Sequence, residues 1–193
     1  MDHNYRGTCC QGNTLVQDWG AHPWYTMWSV YFTFLGEESN NMTSDEISDR
    51  EAIRDLKARY FRLLDTKDWE GWSALFSTGV IAKSDMAVST GGADGKTLPA
   101  CYGAVEFVTR TREVIDLAST VHHGHTPEIT CASDTEAWGI WAMEDIVEWP
   151  DGRILRGYGH YHETYCKEPG GWRITSLHLT RTRVDLSGPW GDD

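Results

Sequence analysis

Three histidines fall within four positions of the segment VHHGHTPEIT, residues 121–130: His122, His123 and His125. Imidazole exchanges a proton more readily near neutral pH than any other side chain, and it is a common metal ligand. About sixty residues earlier, ARYFRLLD supplies a phenol, Tyr60, and a carboxylate, Asp65. Together these groups point to acid–base chemistry.

The histidines allow three readings. In an extended strand His123 and His125 share one face and His122 points to the other. A metal site would take His123 and His125 with Glu128 or Asp65. Packed or surface histidines are a second reading. The third, a single inward imidazole acting as a base and oriented by a carboxylate, needs only one of them. Tyr60 lies in an apolar helical period and reads as a core tyrosine whose hydroxyl finds one partner. Asp65 follows five residues on, about 140° round an ideal helix, so regular geometry does not put the two on one face. An Asp at a helix C-terminus also opposes the helix dipole.

Further along, Asp145 sits among apolar residues in WAMEDIVEW, where a buried carboxylate needs a partner. His160 and His162 share a strand face in GYGHYHETY with Glu163 opposite, and Arg181 and Arg183 end the last strand as an ion-paired or solvated rim. Trp138, Trp141, Trp149 and Trp172 read as core and sheet surface. No Gly-rich phosphate loop or GxSxG elbow is present, which leaves nucleotide chemistry and serine hydrolysis without support.

The elements that must position these groups follow from periodicity. Ser48-Asp49-Arg50-Glu51 has the form of a capping box. Ile53, Leu56, Tyr60, Leu63 and Leu64 then mark one face of a helix that ends at Asp65-Thr66-Lys67-Asp68. Trp69, Trp72, Leu75 and Phe76 predict a second short helix, stopped by Ser77-Thr78-Gly79. A strand is expected over 80–90, a loop over 91–95 and a helix over 103–118. From Val121 onward the pattern predicts four antiparallel strands, about 121–131, 137–148, 153–167 and 172–186. Hairpin signals separate the later ones at Pro150-Asp151-Gly152 and Pro169-Gly170-Gly171. Helices first and a meander afterwards mark an α+β domain, with a pocket between a curved sheet and its helices.

The chain has 193 residues, enough for one domain, and a net charge of −12 with no Lys/Arg run. That balance speaks against nucleic acid and against an anionic membrane surface. The five cysteines form no CxxC pair and read as reduced thiols of a cytoplasmic protein. Residues 1–41 differ from the rest, with one Arg against four carboxylates and an apolar run, Pro23 to Leu35, too short to span a bilayer. They are expected to form a disordered or loosely packed extension ahead of a domain at 42–193, and no chemistry is placed there.

Four pieces carry a family resemblance: YFRLLD (60–65), HxGHTPEIT (122–130), Ala-x-Gly-x-Trp with Glu-Asp (137–145), and Gly-x-Trp (170–172). On these, residues from about 47 to 185 resemble a SnoaL-like member of the nuclear transport factor 2-like (cone-fold) superfamily. The bile-acid 7α-dehydratase group is most similar and scytalone dehydratase more distantly so. The resemblance implies N-terminal helices on a strongly curved, mixed but mostly antiparallel sheet with a cone-shaped pocket. It implies Tyr60, Asp65 and His122 as catalytic groups, with Asp145, His160 and Arg181 at pocket positions. His160 stands where the bile-acid enzyme has an aromatic residue. It further implies no cofactor or metal, a homo-oligomer (dimer or trimer), and loss of water from a hydrophobic cyclic hydroxy-carbonyl compound such as a steroid, polyketide or terpenoid. Asp65 would brace His122, His122 would move the proton, and Tyr60 would donate to the carbonyl oxygen. An isomerase or cyclase using the same groups, a non-catalytic small-molecule-binding module, and the small subunit of a ring-hydroxylating dioxygenase are the alternatives.

Overall fold

The first long helix, α1 (Ser44–Asp65), begins one turn before the expected box. The chain carries two such signatures, and the earlier one is used: Thr43 accepts a hydrogen bond from the Glu46 amide at 3.1 Å. Asp45 and Glu46 in the first turn and Arg62 in the last suit the helix dipole. Ser48 therefore lies inside the helix, and Asp49 instead accepts from Lys167 and Trp172 across the fold. The buried stripe is the expected one, Ile53, Leu56, Tyr60, Leu63 and Leu64, with Lys57 added to it. Removing an apolar side chain of this kind from water contributes roughly 1.5–3 kcal/mol.

This computed structural model describes residues 42–88 and 99–190. The N-terminal extension and the expected loop at 91–95 lie outside the described residues. After α1 come α2 (Trp69–Ser73), β1 (Phe76–Val88), β2 (Cys101–Tyr102), α3 (Ala104–Ile115), β3 (Ser119–Gly124), β4 (Glu128–Cys131), β5 (Glu136–Glu148), β6 (Ile154–Glu168) and β7 (Gly171–Ser187). Ser77-Thr78-Gly79 does not interrupt the chain as expected; it belongs to β1, because Phe76 is drawn into the core and pairs with Ile174.

Among the described residues, seven strands form one open sheet in the order β2-β1-β7-β6-β5-β3, with β4 also on β5. Every pairing is antiparallel except β1 with β7. The helices cover one face, α1 against β3, β4 and β7 and α3 against β1 and β2. The architecture is α+β, with helices preceding a mixed, mostly antiparallel sheet. Among the described residues no helix is long and apolar enough to cross a membrane.

The expected single strand over 121–131 is two. Gly124 pairs with Met143 and Glu128 with Ile140, so four steps on one side match three on the other. The extra residue sits in His125-Thr126-Pro127, where Pro127 has no N–H to give and His125 donates to the Ala142 carbonyl at 2.7 Å. The bulge reverses which parity faces inward. Thr120 and His122 are buried before it, and Ile129 after it.

Candidate active site

Asp65 reaches β3 because α1 ends beside that strand in a left-handed stop. Asp68 N–H donates to the Leu63 carbonyl at 3.0 Å and Lys67 N–H to that of Leu64 at 3.2 Å, with Lys67 at φ 59°. This double closure holds the last helical turn in one position. Asp68 then caps α2 through Gly71 at 2.9 Å.

Held there, Asp65 accepts three hydrogen bonds from one strand. His122 Nδ1–H donates to Oδ1 at 2.6 Å, the His122 amide to Oδ2 at 2.9 Å, and the Thr120 hydroxyl to Oδ1 at 2.9 Å. Half-burial pushes the Asp65 carboxyl up, but the donors from His122 and Thr120 prevail and hold it below the usual carboxylate range. An ionised Asp65 fixes His122 with its proton on Nδ1, which leaves Nε2 to accept one. The His122 ring is almost entirely enclosed, with 7% of its side chain exposed.

The dyad forms part of the wall of an open cleft of about 400 Å³ whose apolar lining is Phe61, Trp141, Ala58 and Gly124. Gly124 is required by close approach: a Cβ there would lie 2.5 Å from the Phe61 ring. Arg54, Arg62 and His123 complete the lining. His123 belongs to the outer face, paired with Glu144 at 3.1 Å, and His125 is exposed.

Tyr60 goes elsewhere. It is 3% exposed and packs edge-on against Phe61, Phe76 and Tyr161. Burial and the nearby Tyr161 and Glu163 push its phenol well above the ordinary value. It does not line the cleft; Phe61 does. The roughly 140° separation of Tyr60 and Asp65 is thus kept, one residue turned to the core and the other to β3.

Asp145 stands directly opposite His122 across the β3–β5 pairing and is locked to Arg181 by two bonds of 2.8 and 2.6 Å. Arg181 Nε also donates to the Asp85 carbonyl at 3.1 Å. The two groups fit only because residue 157 is glycine: a Cβ there would overlap the Arg181 guanidinium and the Asp145 carboxylate. Gly157→Ala should therefore break the pair and cost about 3 kcal/mol or more, read as a lowered denaturation midpoint. His160 is on the other face of β6, its ring 6.4 Å from that of His162, which is in turn 6.3 Å from His178. Burial and the His178 and His160 rings push His162 down, against Asp85.

Below the cleft lies a polar chain that sequence reasoning missed. Trp141 donates to the Tyr165 hydroxyl at 2.8 Å, Tyr165 donates to Glu163 at 2.5 Å, and Lys57 donates to the other Glu163 oxygen at 2.5 Å. The Lys57 ammonium lies over the rings of Tyr161 (3.6 Å) and Tyr60 (4.0 Å). Its place in the helical stripe, one residue after Leu56, was the available signal. Thr120 was also legible, since alternation puts it on the face of His122.

The SnoaL-like domain family matches residues 45–178, most of the chain. This chain belongs to that family. Its SnoaL-like fold is similar to that of a candidate scytalone dehydratase from Novosphingobium aromaticivorans DSM 12444, with 21% identity and a TM-score of 0.65 over 75% of this chain and 91% of that one. A hexachlorocyclohexane dehydrochlorinase, LinA type 3 from Novosphingobium barchaimii LL02, aligns at 13% identity and TM-score 0.61 over 77% and 97%. The beta subunit of a candidate aromatic-ring-hydroxylating dioxygenase from Novosphingobium aromaticivorans DSM 12444 aligns at 17% and 0.60 over 73% and 93%. At these identities the likeness is one of fold.

Proposed function

We propose that this SnoaL-like protein is a cofactor-independent lyase that removes water from a hydrophobic cyclic β-hydroxy carbonyl compound of the steroid, polyketide or terpenoid kind. The observation that carries this reading is the Asp65–His122 dyad, joined at 2.6 Å on the wall of a cleft lined by Phe61 and Trp141. His122 Nε2 takes the proton α to the carbonyl, and the C–H electrons pass into an enolate. The enolate reforms the carbonyl and a C=C bond as the β C–O bond breaks. The departing oxygen takes the proton from His122 and leaves as water, so the imidazole returns to its starting state. Asp65 stabilises the imidazolium formed in between. Two fold neighbours named for eliminations, of water and of hydrogen chloride, support the reaction type by analogy.

In this reading Asp145 and Arg181 act by fixing the strand opposite His122. Tyr60 is enclosed behind Phe61 and touches no substrate in the cleft as it stands. That enclosure, with the dioxygenase-subunit neighbour, is what favours the second reading, a non-catalytic module.

The test uses 5-nitrobenzisoxazole, a general probe of a base: loss of its C3 proton breaks the N–O bond and releases a coloured cyanophenolate. Cyclic β-hydroxy ketones, followed by enone absorbance, form the second arm. The protein should accelerate both, and His122→Ala should return both to background. A parent rate on the probe no greater than that of His122→Ala overturns the assignment in favour of the module. Probe turnover with no enone from any ketone removes the dehydration and leaves the isomerase.

A further inference from the structure

The Asp65 carboxylate is held from behind by a second pair of residues. The Lys67 ammonium donates to the Thr120 hydroxyl at 2.6 Å, and that hydroxyl donates to the same Asp65 oxygen that receives His122 Nδ1–H. We propose that Lys67 and Thr120 are positioning residues, a relay that draws charge from Asp65 and so sets how firmly the dyad holds a proton on His122. The inference rests on the acid–base reading of that dyad.

Two independent features point to it. The first is backbone conformation. Lys67 has φ 59° at the stop of α1, a position that glycine fills without strain, and among the described residues it is the sole non-glycine residue with positive φ. A lysine there costs about 1 kcal/mol in conformation, and its ammonium is tied to Thr120 and to the Leu64 carbonyl. The second is connectivity. Thr120 and His122 share the inner face of β3, and the Thr120 hydroxyl is enclosed between Lys67 and Asp65. Burial pushes the ammonium of Lys67 down, with Asp65 and Asp116 opposing the shift.

The sign follows from what faces the dyad. Arg54 and Arg62 lie at the cleft on α1, Asp145 opposite His122 is neutralised by Arg181, and His123 on the outer face is paired with Glu144. Beyond these, Tyr60 and Tyr161 lie in the core behind Phe61. Against that background Lys67 and Thr120 take up part of the charge on Asp65. Without them the carboxylate pulls harder on imidazolium, and His122 gives up its proton only at higher pH.

Lys67→Gly separates this from a purely structural role, since glycine relaxes the backbone while removing the ammonium. Its melting temperature should match or exceed the parent's. The acidic limb of 5-nitrobenzisoxazole turnover should move up by roughly one pH unit. Thr120→Val should move it the same way, and Thr120→Ser should bring it back. The ring-nitrogen resonances of His122, followed across pH without probe, should change at correspondingly higher pH in Lys67→Gly and Thr120→Val. A lowered plateau with an unmoved limb and unmoved resonances overturns the relay. Retention of the probe rate by His122→Ala overturns the catalytic reading instead, and the resonances still decide the relay.

Discussion

Asp65→Asn should lower turnover by about three to four orders of magnitude while the protein stays folded. The size of the effect comes from hydrogen-bond geometry rather than from lost charge alone. The His122 amide always donates, so the asparagine oxygen must take the position of Oδ2. That puts the asparagine NH2 group against His122 Nδ1 and the Thr120 hydroxyl. Nδ1 can then only accept, its proton moves to Nε2, and the nitrogen facing substrate is no longer a base. Turnover of 5-nitrobenzisoxazole and of the hydroxy ketones would report the loss, with circular dichroism as the control for folding. The carboxylate also stabilises the fold. Its folded pKa lies below the unfolded value, so that contribution is complete above the unfolded value of about 3.8 and fades as pH falls through the folded one. The asparagine variant should lack that acid-side loss.

Glu163→Gln should destabilise the protein by about 3–5 kcal/mol, because it strands the Lys57 ammonium in a core where neither partner is exposed. Burial already pushes Lys57 down to about 8, with Glu163 opposing the shift. Since that is below the unfolded value of 10.5, the charged form is the one the fold disfavours. The penalty is complete below pH 8 and disappears as pH rises toward 10.5. Unfolding free energy should therefore gain a contribution from Lys57 across that window. Lys57→Met combined with Glu163→Gln should recover most of the loss, since the amide can still accept from Tyr165 and no charge is left buried. Urea denaturation of the parent, the single and the double variant at pH 7 and pH 10 checks both the magnitude and the sign.

Much of this was legible because local rules governed it. The stripe from Ile53 to Leu64 buries as its period demands, and the glycines at 152, 170 and 171 take the positive φ that their turns require. Alternation along β5 and β6 sets which residues face the core. The failures were non-local. Nothing near residue 76 says that its strand will pair parallel with β7, nearly a hundred residues away. The extra residue at His125-Thr126-Pro127 inverts the facing of a segment that alternation alone reads as continuous. A buried lysine does not follow from the helix alone, because its carboxylate partner, Glu163, lies on a distant strand. The Asp65–His122 contact was available only through family likeness, since spacing says nothing of a strand that happens to pass a helix end.

The parallel seam between β1 and β7 also constrains the order of assembly. Hairpins β5–β6 and β6–β7 close over a few residues, whereas the parallel pairing of β1 awaits β7, nearly a hundred residues later. On the ribosome, β1 emerges with, among the described residues, the two-residue β2 as its one nearby pairing partner, and its other hydrogen-bonding edge stays open until β7 has been made. Nascent protein is thus most exposed to wrong edge pairing in this interval, and a chaperone that shields extended segments would act there.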